Sequence, residues 1–150
     1  MIQKIEAKII AISTSEKKGQ KKHNIETAEL VADYGMKGDA HAGKWHRQIS
    51  LLGIKGIDMM RAQGADVKPG DFAENITVEG VVLYELPIGT KLRIGETELE
   101  VTQIGKECHS GCEIMKQVGS CIMPTQGIFA KVLKGGTIKV NDALVVYLEK

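Results

Sequence analysis

The sequence predicts a mainly β protein, a single barrel or sandwich carrying a few short helices. Three observations carry that prediction. Apolar residues recur mostly with a period of two, glycines fall between the alternating runs, and only two segments read as helical. In chain order, Ile5, Ala7 and Ile9 alternate with Lys4, Glu6 and Lys8, which gives a strand with one dry and one wet face. In residues 53–64, GIKGIDMMRAQG, the apolar positions Ile54, Ile57 and Met60 are three apart and the run stops at Gly64, as a helix would, although Gly53 and Gly56 weaken it. Gly95-Glu96 separates Lys91–Ile94 from Thr97–Val101 and reads as a hairpin connection. Cys112–Val118, with Ile114 and Val118 four apart, is a second helical segment of barely two turns. Asn141-Asp142 then separates Thr137–Val140 from Ala143–Leu148. No repeat, linker or low-complexity tract divides residues 1–150, so one domain is expected. Lys17–Lys22, KKGQKK, reads as a solvated basic loop, with anion binding as the alternative.

Composition narrows the function classes. Of 150 residues, 43% are apolar and 26% charged, the balance of a folded soluble domain. Twenty Lys+Arg against nineteen Asp+Glu leave a formal charge of +1, so no global field draws the chain to nucleic acid or an anionic membrane. The longest apolar run, Ala143–Leu148, has six residues, far short of a membrane span. MIQKIEAKIIAI carries charges through its apolar stretch and does not read as a signal peptide. A cytoplasmic protein is expected. Cys108, Cys112 and Cys121 crowd into fourteen residues with His109 among them, a pattern of reactive or metal-binding thiols rather than a disulfide framework.

Three stretches could carry chemistry. Residues 34–52, YGMKGDAHAGKWHRQISLL, combine glycines with Asp39, His41, Lys44, Arg47 and the only tryptophan. Backbone N–H groups of such a loop can bind an anion, and Lys37, Lys44 and Arg47 could neutralise a phosphate, Arg47 bidentately. The same residues could instead cap a surface loop, and the pattern fits neither a Walker A nor a Rossmann motif. In residues 69–80, PGDFAENITVEG, Asn75 could orient a substrate through its amide or simply close the turn before a strand. In residues 105–124, GKECHSGCEIMKQVGSCIMP, Lys106 and His109 beside Cys108 could lower a thiol pKa that is ordinarily about 8.5. Inert buried cysteines, or a zinc site of Cys108, His109, Cys112 and Cys121, are the alternatives, although adjacent Cys108 and His109 chelate poorly.

Together these stretches resemble the MOSC domain, the module found at the C-terminus of molybdenum cofactor sulfurases. YGMKGDAHAGKWHRQISLL is similar to that family's GDxHxG…RQ(V/I)SLL signature, GDFAENITVEG to its GxFxEN(L/I)TxxG element, and GIFAKVLKGGTIKVNDAL to its closing motif. The resemblance spans essentially the whole chain, in order, and is to the small stand-alone bacterial members. It implies a single MOSC-type β-barrel of the kind likened to that of pyruvate kinase. It also implies a molybdenum-cofactor-binding or sulfur-carrier role, with Cys108 matching the family's reactive cysteine. Glu107 stands where many members have proline, which leaves Cys112 as the alternative thiol. On this reading Cys108 carries a persulfide for sulfur transfer or ligates molybdenum. His41, Lys44 and Arg47 hold the cofactor's phosphate or pterin tail, and Asn75 orients it. No site for pyridoxal phosphate is recognised on this chain, so a pyridoxal-phosphate-dependent cysteine desulfurase would act in trans and a molybdoenzyme would be the acceptor. The other readings the resemblance leaves open are a cofactor-dependent reductase component for N-hydroxylated compounds and a non-enzymatic zinc-binding module.

Overall fold

The alternation of the first strand, β1 (Ile2–Thr14), places it between neighbours on both sides. From Ile2 to Lys8 it pairs antiparallel with the last strand, β11 (Ala143–Glu149). From Lys8 to Ile12 it pairs antiparallel with β6 (Ile76–Glu79). A computed structural model describes residues 2–18, 20–105 and 122–149. The other strands are β2 (His23–Ile25), β3 (Thr27–Val31), β4 (Gly35–Met36), β5 (Ile49–Gly53), β7 (Lys91–Ile94), β8 (Thr97–Ile104), β9 (Ile128–Lys134) and β10 (Gly136–Lys139). Hydrogen bonds run β11-β7-β8-β9-β5-β6-β1, and the β1–β11 ladder closes this ring into a barrel, with β2 attached to the end of β1. Closure removes the open edges that a flat sheet would expose.

Inward positions of the ring are filled by aliphatic side chains. Ile9, Ile49, Leu51, Ile76, Leu92, Leu99, Ile128, Ala130 and Leu144 are all fully buried in one cluster. Each such Ile or Leu contributes roughly 1.5–3 kcal/mol relative to exposure. Every ladder among the described residues is antiparallel except β5–β6, where Leu51 faces Ile76 and Gly53 faces Val78. A parallel pair needs a crossover. Here the crossover holds helix α1 (Ile54–Ala62), which is the expected helix, and it buries Gly56, Ile57 and Met60. Those residues meet Leu52, Val67, Phe72, Ile122 and Phe129 in a second cluster outside the barrel wall. A 3₁₀ turn (Leu83–Glu85) and a short helix α2 (Met123–Gln126) complete the helical content among the described residues.

The predicted hairpin is present: β7 and β8 pair across Gly95, whose φ of +57° is the left-handed conformation such a turn needs. Asn141-Asp142 does separate two strands, with Asn141 at φ +80°, but those strands are not partners. β10 joins β3 and β4 in a separate three-stranded sheet while β11 returns to the barrel. The helical segment expected at Cys112–Val118 lies outside the described residues.

Candidate functional site

The glycine-rich stretch forms the loop between β4 and β5, and Asp39 organises it. Its Oδ1 accepts hydrogen bonds from Thr14 Oγ1 at 3.0 Å, Ser15 N at 3.2 Å and Lys22 Nζ at 2.8 Å. Its Oδ2 accepts the His41 N–H at 3.0 Å. Burial alone would raise this carboxyl, but the facing His41 and Lys22 side chains, the Lys22 charge and the His41 N–H hold it well below the usual carboxylate range. Asp39 is therefore a buried carboxylate that ties the end of β1 to the loop.

Lys22 is its counter-ion, only 1% exposed at the end of a basic tract that reads as solvated. Its ammonium reaches Ser15 Oγ at 3.0 Å and His41 Nδ1 at 3.0 Å as well as Asp39. The backbone turns inward because Lys22 N donates to Gly70 O at 2.8 Å. Gly70, at φ +96°, lies so close that a Cβ there would stand 2.5 Å from Lys22 O. Nothing in the spacing of KKGQKK distinguishes Lys22 from Lys17, Lys18 or Lys21, so sequence reasoning missed it.

Arg47 lies half-buried on the outer side of β9, its guanidinium carbon 4.6 Å from the Trp45 ring centroid and 5.6 Å from that of Phe129. Its Nε is buried and has no hydrogen-bond partner among the described residues. Lys18 Nζ also lies 4.6 Å from the Trp45 centroid, so the basic loop reaches the same place. Trp45 is itself anchored by its Nε1–H, which donates to His41 O at 2.7 Å. A guanidinium can pair with an oxyanion through two parallel N–H groups. Lys44 is exposed beside it.

The opposite rim is the end of β8. Gln103 Oε1 lies 2.7 Å from His46 Nε2, and Thr102 Oγ1 donates to His46 O. Gln103 Nε2 donates to Gly105 O at 2.7 Å, and Gly105 N donates to Gly127 O at 2.7 Å. The last described residue before the stretch 106–121, Gly105, is thus tied to His46 in the loop that bears His41 and Arg47, whereas Ile122, the first after it, packs against Gly56 of α1. Cys108, His109, Cys112 and Cys121 lie outside the described residues. Among the described residues no cluster of three or more His, Cys, Asp or Glu could hold a metal ion.

The structure places the Asn75 amide inside the barrel wall. Asn75 is fully buried; its Oδ1 accepts Ser50 N at 2.9 Å and Ser50 Oγ at 3.1 Å, and its Nδ2 donates to Ser13 O at 3.2 Å. Both ends of the amide hold β1, β5 and the start of β6 together, which is the turn-closing alternative. Glu74 beside it is equally internal, accepting from Phe72 N at 3.3 Å and Thr77 Oγ1 at 2.9 Å, and burial raises its carboxyl above the ordinary range despite those bonds. The structure therefore brings His41 and Arg47 into one polar neighbourhood and leaves Asn75 out of it. A cavity of about 570 Å³ lies elsewhere, between Ile54, Met59, Val82, Leu83 and Leu148, and His41, Lys44, Arg47 and Asn75 do not line it.

Comparison with known proteins agrees with this architecture. The family model described as "MOSC domain" matches residues 38–145. YuaD from Bacillus subtilis has a similar structure, with a TM-score of 0.85 at 17% identity and 100% of both chains covered. YiiM from Geobacillus stearothermophilus gives 0.72 at 18% identity, covering 93% of this chain and 74% of that one. YiiM from Escherichia coli gives 0.61 at 17% identity, covering 95% and 70%. At these identities the likeness shows the fold. No curated protein matches the sequence.

Proposed function

Because the chain belongs to the MOSC domain family, which is associated with the C-terminal domain of molybdenum cofactor sulfurases, we propose that it holds the molybdenum cofactor on the 39–48 loop and handles sulfur for it on Cys108. The observation that carries this reading is Arg47, a cation stacked on two aromatic rings with a buried Nε–H unmatched among the described residues. That donor set fits a phosphate-bearing pterin: a planar guanidinium takes an oxyanion bidentately, and the neighbouring rings exclude water from the pair. Arg47 and His41 would hold the phosphate or pterin tail, and exposed Lys44 and Lys18 would add positive charge at the mouth. When bound, the cofactor supplies a metal centre whose ligands include exchangeable sulfur.

Sulfur handling falls to Cys108. Its thiolate attacks the terminal sulfur of a donor persulfide, R–S–SH; an S–S bond forms to Cys108, the donor's S–S bond breaks, and the donor leaves as thiolate. Gly105, three residues earlier, is fixed beside His46 through Gln103. A pyridoxal-phosphate-dependent cysteine desulfurase would be the donor and a molybdoenzyme the acceptor.

Retention of molybdopterin tests the reading. Wild-type protein incubated with released cofactor, desalted and oxidised should yield pterin fluorescence near stoichiometry. Arg47→Ala should retain about 10- to 100-fold less, the loss expected for one charge-assisted contact of about 1.5–3 kcal/mol. Wild-type protein that retains no pterin would refute the cofactor reading. Intact mass after treatment with a cysteine desulfurase and cysteine should show one added sulfur, absent in Cys108→Ala. No adduct on the wild type, or an adduct unaffected by that substitution, refutes the assignment of sulfur chemistry to Cys108.

A further inference from the structure

We infer that buried Lys22 is a positioning residue that fixes the tautomer of His41, so that the imidazole carries its proton on Nε2 and acts at the site as a hydrogen-bond donor rather than as a base. An ammonium has three donors and no acceptor, so any ring nitrogen it meets must be the acceptor. Among the described residues Lys22 Nζ meets Asp39 Oδ1 at 2.8 Å, Ser15 Oγ at 3.0 Å and His41 Nδ1 at 3.0 Å.

The distances favour that direction. Ser15 Oγ donates its own proton to Lys17 O at 3.0 Å, which leaves a lone pair for Lys22. Asp39 is held as a carboxylate, which keeps Lys22 in its charged form. Among the described residues Asp39 Oδ2 also faces Nδ1, but at 3.7 Å it is beyond hydrogen-bond distance. That oxygen already accepts the His41 backbone N–H at 3.0 Å. With Nδ1 accepting from Lys22, a neutral imidazole must carry its hydrogen on Nε2.

The chemical consequence concerns what His41 offers an anion. A ring whose acceptor nitrogen is engaged by an ammonium presents N–H to a phosphate or thiolate and does not remove a proton from a thiol through Nε2. Lys22 would thereby act through His41, from the buried side of the loop. The role toward an anion rests on the cofactor reading above; the tautomer does not.

Long-range proton–nitrogen NMR of the imidazole rings tests the tautomer on ligand-free protein at neutral pH, with His41 assigned by comparison with His41→Gln. The expected wild-type spectrum has an unprotonated Nδ1 and a protonated Nε2. In Lys22→Met, provided amide spectra show it folded, the pattern should change to a tautomer mixture or the Nδ1–H form. A wild-type ring with Nδ1 protonated overturns the inference, as does a folded Lys22→Met whose His41 pattern is unchanged. Should Lys22→Met not fold, the wild-type spectrum decides alone. For the role toward the anion, His41→Gln, which keeps an N–H donor, should retain pterin better than His41→Ala. Equal loss in both overturns the donor role, and a wild type that retains no pterin counts against the cofactor reading while leaving the tautomer to its own spectrum.

Discussion

Replacing Asp39 by alanine should destabilise the fold far more than a loop substitution ordinarily does. Four donors lose their acceptor: Thr14 Oγ1, Ser15 N, Lys22 Nζ and His41 N. The dominant cost is the Lys22 ammonium, whose side chain is 0% exposed and would be left without its counter-ion. Breaking a buried pair from one side costs about 3–5 kcal/mol, and the neutral hydrogen bonds overlap with that figure rather than adding to it. For a domain of this size the loss corresponds to roughly 6–20 °C in melting temperature. Urea denaturation of Asp39→Ala, Lys22→Met and the double variant measures it directly. The double variant removes both charges and should be less destabilised than the sum of the single variants by at least about 1.5 kcal/mol. A loss below about 1 kcal/mol in Asp39→Ala, or strict additivity in the double variant, would refute the claim that this pair holds the loop. The pH dependence has a fixed sign. The folded carboxyl titrates below its unfolded value of about 3.9, so its stabilisation is complete above that pH and is lost as the pH falls below it. Denaturation midpoints of the wild type should fall on acidification through that window, and less steeply in the double variant.

Glu74→Gln should behave in the opposite sense. The folded carboxyl is raised by burial, so ionisation costs stability as pH rises above the unfolded value of about 4.3. The variant should gain on the wild type between acidic and neutral pH; chemical denaturation at both checks the crossover. Asn75→Ala should cost about 2–4 kcal/mol, since Ser50 N and Ser13 O lose partners inside the wall, and a variant that melts like the wild type would contradict the internal role. Gly70→Ala should cost about 2 kcal/mol or more by urea denaturation, because a Cβ at φ +96° would press on the Lys22 carbonyl.

Local patterns in the chain were readable where a single element sets them. The Gly95-Glu96 hairpin and the helix ending before Gly64 follow from turn chemistry and apolar spacing alone. The MOSC motifs brought His41 and Arg47 forward, and both lie on the loop between β4 and β5. What spacing could not show is where long-range pairing sends an element: β10 and β11 adjoin in sequence and join different sheets. Lys22 was hidden for a similar reason. Its burial depends on Asp39, seventeen residues on, and on Gly70 far beyond, so its own neighbourhood reads as a surface tract. Asn75 shows the converse: a polar residue in a motif has both ends of its amide bonded within the barrel wall.

Trp45 is the only tryptophan in the chain, and it stands against Arg47 and Lys18. Its emission therefore comes from the loop itself, with no second indole to dilute the signal. Any anion that draws either cation away from the ring changes the indole's electrostatic surroundings, so the protein carries a native optical reporter on that loop.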